Sequence, residues 1–129
     1  MKFIPRNGQT SWDFSNFILF NQGWKSTDIS SIIPADGKKI LLCIRLSTDI
    51  DNTQGSGGSV RLASSSNEAD NNINQIVQTI DGAFPFVGLL ESFGFLDVGT
   101  DRAFFAEGGA TGNIVMHPNV QICGWFEYT

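Results

Sequence analysis

The stretch "IIPADGKKILLCIRLS" (residues 32–47) limits the possible folds of this chain more than any other. Pro34 pre-sets φ for a turn, and Asp36-Gly37 supplies residues that tolerate the geometry closing it. From Lys38 to Ser47 the pattern then has period two. Ile40, Leu42, Ile44 and Leu46 fall on one face, Leu41, Cys43 and Arg45 on the other. That period belongs to a β-strand. Apolar side chains on both faces place the strand in the middle of a sandwich, away from its edge.

Other segments repeat the theme. "NFILF" (16–20), "SVRLAS" (59–64), the residues around Ala103 to Ala106, "NIVMH" (113–117) and "VQICGWFEY" (120–128) all read as strands. A nearly continuous apolar run from Phe84 to Val98 is interrupted by Gly88, Glu91 and Gly94. "TDIDNTQGSGGS" (48–59) and "EGGATGN" (107–113) read as loops. Residues 66–80 are ambiguous: Ile73, Ile76, Val77 and Ile80 fit a helical stripe that Ser66 or Asn67 could cap. The wealth of Asn and β-branched residues, which are mediocre helix formers, favours a strand-containing segment.

Composition agrees. The 129 residues include eleven Phe, three Trp and fourteen Gly, and only 16% are charged, which is too few for long amphipathic helices. The expectation is a single all-β domain over residues 1–129, an antiparallel β-sandwich of jelly-roll-like type with about seven to nine short strands. Residues 1–22, unusually aromatic, read as an extra strand or a docking arm.

The closing "NVQICGWFEYT" carries Trp125, Phe126 and Tyr128 where most chains fray. Both alternating sets, Val120-Ile122-Gly124-Phe126-Tyr128 and Gln121-Cys123-Trp125-Glu127, bear apolar bulk. This predicts a last strand central to the fold.

Net charge is −5, and no basic cluster exceeds Lys38-Lys39, so nucleic acid is a poor partner. The start lacks the apolar run of a signal peptide, and no stretch approaches the length of a membrane span. Cys43 and Cys123 both fall in apolar strands; free, core-packed thiols are the ordinary state and point to a reducing compartment, with a disulfide between them left open.

The chemistry-bearing residues are sparse. His117, the single histidine, precedes Pro118 in what reads as a turn, and no nucleophile motif accompanies it. No metal-ligand spacing is present. Asp49, Asp51 and Asn52 could ligate calcium but miss the twelve-residue loop pattern, which leaves them as candidate ligand-binding loop residues. Glu91, Asp97, Asp101 and Glu107 are the acids available to a glycan-processing enzyme. Trp24, between Gly23 and Lys25, is the best candidate for a flat sugar-binding face. Trp12, Phe14, Trp125, Phe126 and Tyr128 fit a subunit interface. No cofactor is expected.

"GWKSTDISSIIPADGKKILLCIRL", followed some fifty residues later by "DVGTDRAFFAEGGATGNIVMH" and a closing "VQICGWFEY", resembles the small β-sandwich domains of bacteriophage tail fibres, tail tips and related virion proteins. The resemblance runs from Gly23 to Tyr128, and residues 1–22 depart from it. It implies a non-enzymatic virion component of structural or receptor-binding type, homotrimeric, assembled in the host cytoplasm and released by lysis. Its partners would be further copies of itself, other virion proteins and a host cell-surface glycan met by loops at one end of the sandwich. No catalytic residue carries over. The alternative is a soluble carbohydrate-binding module or lectin, and a third reading is a glycan-processing enzyme with Asp97 and Asp101 as its acids.

Overall fold

The structure is a computed structural model and describes residues 1–8, 10–52, 56–65, 75–82 and 85–128. The described residues form nine strands: β1 (Lys2–Pro5), β2 (Phe14–Ser15), β3 (Lys25–Asp28), β4 (Ile40–Asn52), β5 (Gly58–Ala63), β6 (Gln75–Ile80), β7 (Phe86–Val98), β8 (Ala103–Ala110) and β9 (Val115–Glu127). They build two antiparallel sheets facing each other as a β-sandwich. The larger has the order β1-β9-β4-β7, with β2 also paired to β9; the smaller has the order β3-β8-β5-β6. Among the described residues no helix is long and apolar enough to cross a membrane.

The period-two pattern of β4 does what its sequence dictates. Ile40, Leu42, Ile44, Leu46 and Ile50 point inward and are sealed from solvent, with Val120 and Ile122 of β9 and Leu96 and Val98 of β7 beside them. Opposite them stand Val60 and Leu62 of β5 and Phe104 of β8, also without exposed surface. At about 1.5–3 kcal/mol for each fully buried aliphatic side chain, this layer is the main source of stability.

The strand is longer than its apolar run. Residues 48–52, expected in a loop, continue β4, because the inward positions Thr48 and Asn52 find polar partners inside. Thr48 Oγ1 donates to Gln78 Oε1 at 2.6 Å, and the Asn52 side chain closes a turn by accepting from Ser56 N at 2.9 Å and donating to Ser56 O. Gly58 and Ser59 belong to β5. Residues 53–55 of the expected loop lie outside the described residues.

"NFILF" does not form a strand. Asn16 (φ +46°) and Asn21 (φ +63°) both adopt left-handed backbone, and the segment between them crosses the core as irregular cover. Phe17, Ile18 and Phe20 still pack inward, with Phe17 edge-on to Phe104 at 6.2 Å. Room for Phe20 comes from Gly108, where a Cβ would lie 2.6 Å from the ring. "EGGA", expected in a loop, is part of β8, paired with residues 58–61 of β5.

Residues 75–80 form β6, the strand that the segment's composition favoured, with Ile76 buried and Val77 exposed in an alternation unlike the helical stripe; residues 66–74 lie outside the described residues. One further expectation changes. His117 and Pro118 lie within β9, not in a turn. Pro118 falls one residue beyond the Ser15↔Asn119 pairing of β2, where β9 has a neighbour on one side only and a missing N–H is tolerated.

β9 is central, as its sequence predicts, with β4 along one edge and β2 and β1 along the other. Its alternation does not run straight through. A bulge opposite Cys43/Ile44 shifts the phase, so Ile122 and Trp125 both face inward with Cys123 and Gly124 between them. After the bulge Phe126, not Trp125, points outward.

Candidate functional site

The outer face of the larger sheet is the most unusual surface of this molecule. Along β7 the outward positions are Val87, Leu89, Glu91, Phe93, Phe95 and Asp97, and the inward ones include Gly88, Ser92 and Gly94. The four apolar outward side chains are 68%, 59%, 68% and 53% exposed. Strand β7 pairs with β4 on one edge and, among the described residues, has no partner within the sheet on the other. A 13-residue edge strand with an apolar outer face is what monomeric proteins avoid.

Two rows of side chains cross this face. In one, the Phe95 ring lies 6.1 Å from Phe126, which lies 4.8 Å from Phe3 on β1. In the other, the Arg45 guanidinium stands 4.9 Å from the Trp12 ring centroid and 5.9 Å from that of Phe93. Arg45 also donates to Glu91 Oε1 at 2.6 Å, and Ser47 Oγ donates to the same oxygen at 3.2 Å. The Arg45 bond holds the Glu91 carboxyl below the usual carboxylate range, against the opposing effect of burial. Trp12 and Arg45 wall a hollow of about 310 Å³ with Thr10, Ser11, Ser15 and Gln121.

Val87, Leu89, Phe93, Phe95 and Phe3 are large apolar side chains exposed together on this face, and large contiguous apolar surface marks an interaction site.

The residues singled out from sequence are distributed as follows. Trp12, Phe126 and Tyr128 lie on this outer face, Tyr128 bonded to Asp97. Phe14 and Trp125 pack against the core, Phe14 edge-on to Phe104 at 6.2 Å. Asp49 and Asp51 lie on the same outer face, bordering a second hollow of about 310 Å³ with Val87, Val115 and His117. Asn52 points the other way and is buried. Trp24 is on the smaller sheet's side, with the Arg61 guanidinium over its ring at 5.2 Å and Arg61 paired with Glu107. The ligand candidates Trp24, Asp49, Asp51 and Asn52 are therefore not brought together.

The carboxylates available to a hydrolase are dispersed too. Glu91 and Asp97 share one face of β7 but stand six residues apart, about 20 Å at 3.3 Å per residue, beyond the ~5–10 Å that paired carboxylates span. Asp101 lies in the turn after β7, and Glu107 points out from the smaller sheet. Among the described residues no three His, Cys, Asp or Glu side chains are placed to hold a metal ion.

Sequence reasoning missed Phe93, Phe95, Val87 and Leu89. The available signal was the small residues Gly88, Ser92 and Gly94 at alternate positions, which mark the inward face of β7 and send the bulky set outward. No family model, no curated protein and no solved structure matches this chain.

Proposed function

We propose that this chain is a non-enzymatic bacteriophage virion protein, structural or receptor-binding and of tail fibre or decoration type, that assembles as a homotrimer through the outer face of its larger sheet. The observation carrying this reading is the exposed apolar row Val87, Leu89, Phe93 and Phe95 on β7, an edge strand among the described residues. Burying that row between copies removes the aggregation hazard such an edge presents in a lone molecule.

Two further features support the reading. The strand orders β1-β9-β4-β7 and β3-β8-β5-β6 support a jelly-roll reading of the sandwich, an architecture used by viral capsid and lectin domains. This is an analogy of fold. The acids Glu91 and Glu107 are each bonded to an arginine, a structural use of carboxylates. The other partners are neighbouring virion proteins, with a host glycan met at the loop end of the sandwich.

The second reading, a carbohydrate-binding module, rests on the Trp12 hollow, where an aromatic ring adjoins Ser, Thr and Gln side chains. It requires a monomer whose glycan binding is lost on Trp12→Ala. The test of the virion reading is quantitative mass spectrometry of particles purified from lysates. The reading expects the chain in fixed stoichiometry with the other particle proteins. Recovery in the soluble fraction alone contradicts it.

A further inference from the structure

The bulge in β9 brings the two cysteines of the chain together. Cys43 on β4 is opposite Gly124, and the register slips between Cys43 and Ile44, so that Cys123 and Gly124 together oppose Cys43. Ile44 and Ile122 resume inward pairing on one side, Leu42 and Trp125 on the other. Cys123 is thus the inserted residue, turned to the outer face beside Cys43.

The bulge is held open by Gly124. Its φ of +156° suits glycine, and a Cβ there would lie 2.5 Å from the Ile4 carbonyl oxygen and 2.6 Å from the Phe3 ring. Cys43 and Cys123 are both free and half-buried in the separate chain, so reagents can reach them wherever the outer face is not covered by further copies. The Cys123 thiol is directed at the Gln121 carbonyl, 3.9 Å away, and the Cys43 side chain is hydrogen-bonded to Cys123.

Cys123 adjoins Gly124, the residue directly opposite Cys43, and the Cys43–Cys123 hydrogen bond puts the two side chains in contact, an arrangement from which a disulfide, spanning Cα atoms roughly 4.4–6.8 Å apart, can close. We propose that Cys43 and Cys123 form a dithiol site that small-molecule disulfides oxidise to a cross-strand disulfide within one chain.

With oxidised glutathione as the co-reactant, the thiolate of one cysteine attacks a glutathione sulfur. The glutathione S–S bond breaks, a mixed disulfide forms and one glutathione thiolate leaves. The thiolate of the other cysteine attacks the protein sulfur of that mixed disulfide and expels the second glutathione. Two electrons pass from the cysteine pair to the glutathione disulfide, and the two thiol protons end on the released glutathiones or in solvent. Burial and the neighbouring Cys123 push the Cys43 thiol above its ordinary pKa, so the exchange accelerates as pH rises above neutrality.

The test uses the reduced full chain, incubated with oxidised glutathione at mildly alkaline pH, then acid-quenched, alkylated and weighed intact. The expected product is a monomeric chain that has lost two hydrogens, takes up no alkylating agent and carries no glutathione. A peptide map should join Cys43 to Cys123. In Cys43→Ser and in Cys123→Ser the remaining cysteine should instead retain one glutathione adduct, which shows that the partner thiol resolves it. Wild-type chains that accumulate two stable adducts, keep both thiols or cross-link between chains overturn the proposal. The wild-type result stands whether or not a serine variant folds.

Discussion

Tyr128 Oη donates a 2.6 Å hydrogen bond to Asp97 Oδ1, reaching across strand β4 to tie the end of β9 to β7. The three strands align there: Asp97 is opposite Leu41, and Leu41 is opposite Phe126. An aromatic tail that would otherwise fray is anchored to the sheet it closes.

That bond makes a pH prediction. Its acceptance by Asp97, reinforced by partial burial and by the Asp97 charge, pushes the Tyr128 phenol from its ordinary value of 10.0 to about 12. A group whose pKa is raised by folding stabilises the fold fully below its unfolded value and loses that contribution as pH rises through its folded value. The contribution of Tyr128 is therefore complete below about pH 10 and disappears around pH 12. Tyr128 is the sole tyrosine, so phenolate absorbance reports it alone. The titration midpoint should lie near 12 in the native chain and fall toward 10 in Asp97→Asn; an unshifted native midpoint would show that the bond is not kept in solution.

Gln78 joins the edges of the two sheets. It is buried on β6, and its Nε2 donates among Leu90 O at 3.0 Å, Ser92 Oγ at 3.1 Å and Leu46 O at 3.2 Å while its Oε1 accepts from Thr48. Gln78→Leu removes those bonds and leaves buried acceptors on β4 and β7 unsatisfied. A loss of about 1–3 kcal/mol is expected in urea denaturation. The exposed neighbour position offers the control: Gln75→Leu should change stability by less than about 0.5 kcal/mol.

Arg102 locks the opposite end. Almost wholly buried and with φ +53°, it donates to Lys38 O at 2.6 Å, Gly99 O at 3.1 Å and Pro34 O at 3.4 Å, and pairs with Asp36 at 2.8 Å. One guanidinium thereby fastens the "PADGK" turn to the β7–β8 turn. Arg102→Ala should cost about 1–3 kcal/mol, because it leaves several carbonyls that Arg102 now bonds without their donor. Arg102→Lys should recover only part of that loss in the same denaturation assay, since an ammonium cannot reproduce the planar fork.

These contacts show where sequence reading succeeds and where it stops. The inward faces of β4 and β9 were legible because apolar residues alternate along them, and the Asp36-Gly37 turn because Gly37 takes a φ of +80° that its residue type announces. Residues 48–52 were misread because their inward positions are polar, and only the distant Gln78 makes Thr48 acceptable there. Asn16 and Asn21 adopt left-handed backbone that neighbouring apolar residues conceal. The outer face of β7 was hidden by its own composition: both phases of the strand carry Phe and Leu, so periodicity alone cannot tell which phase meets water. The Cys43–Cys123 contact depends on a one-residue bulge, and only Gly124 hints at it.

The central claim is that the outer face of the larger sheet is covered by further copies of this chain. It is tested most directly by the solution mass of the purified chain, from light scattering on a sizing column at tens of micromolar, beside Phe93→Ser/Phe95→Ser. The account predicts a stable trimer for the native chain and a folded monomer, of unchanged β-sheet circular dichroism, for the double variant. A native chain that runs as a clean monomer contradicts it and leaves Phe93 and Phe95 to some other partner.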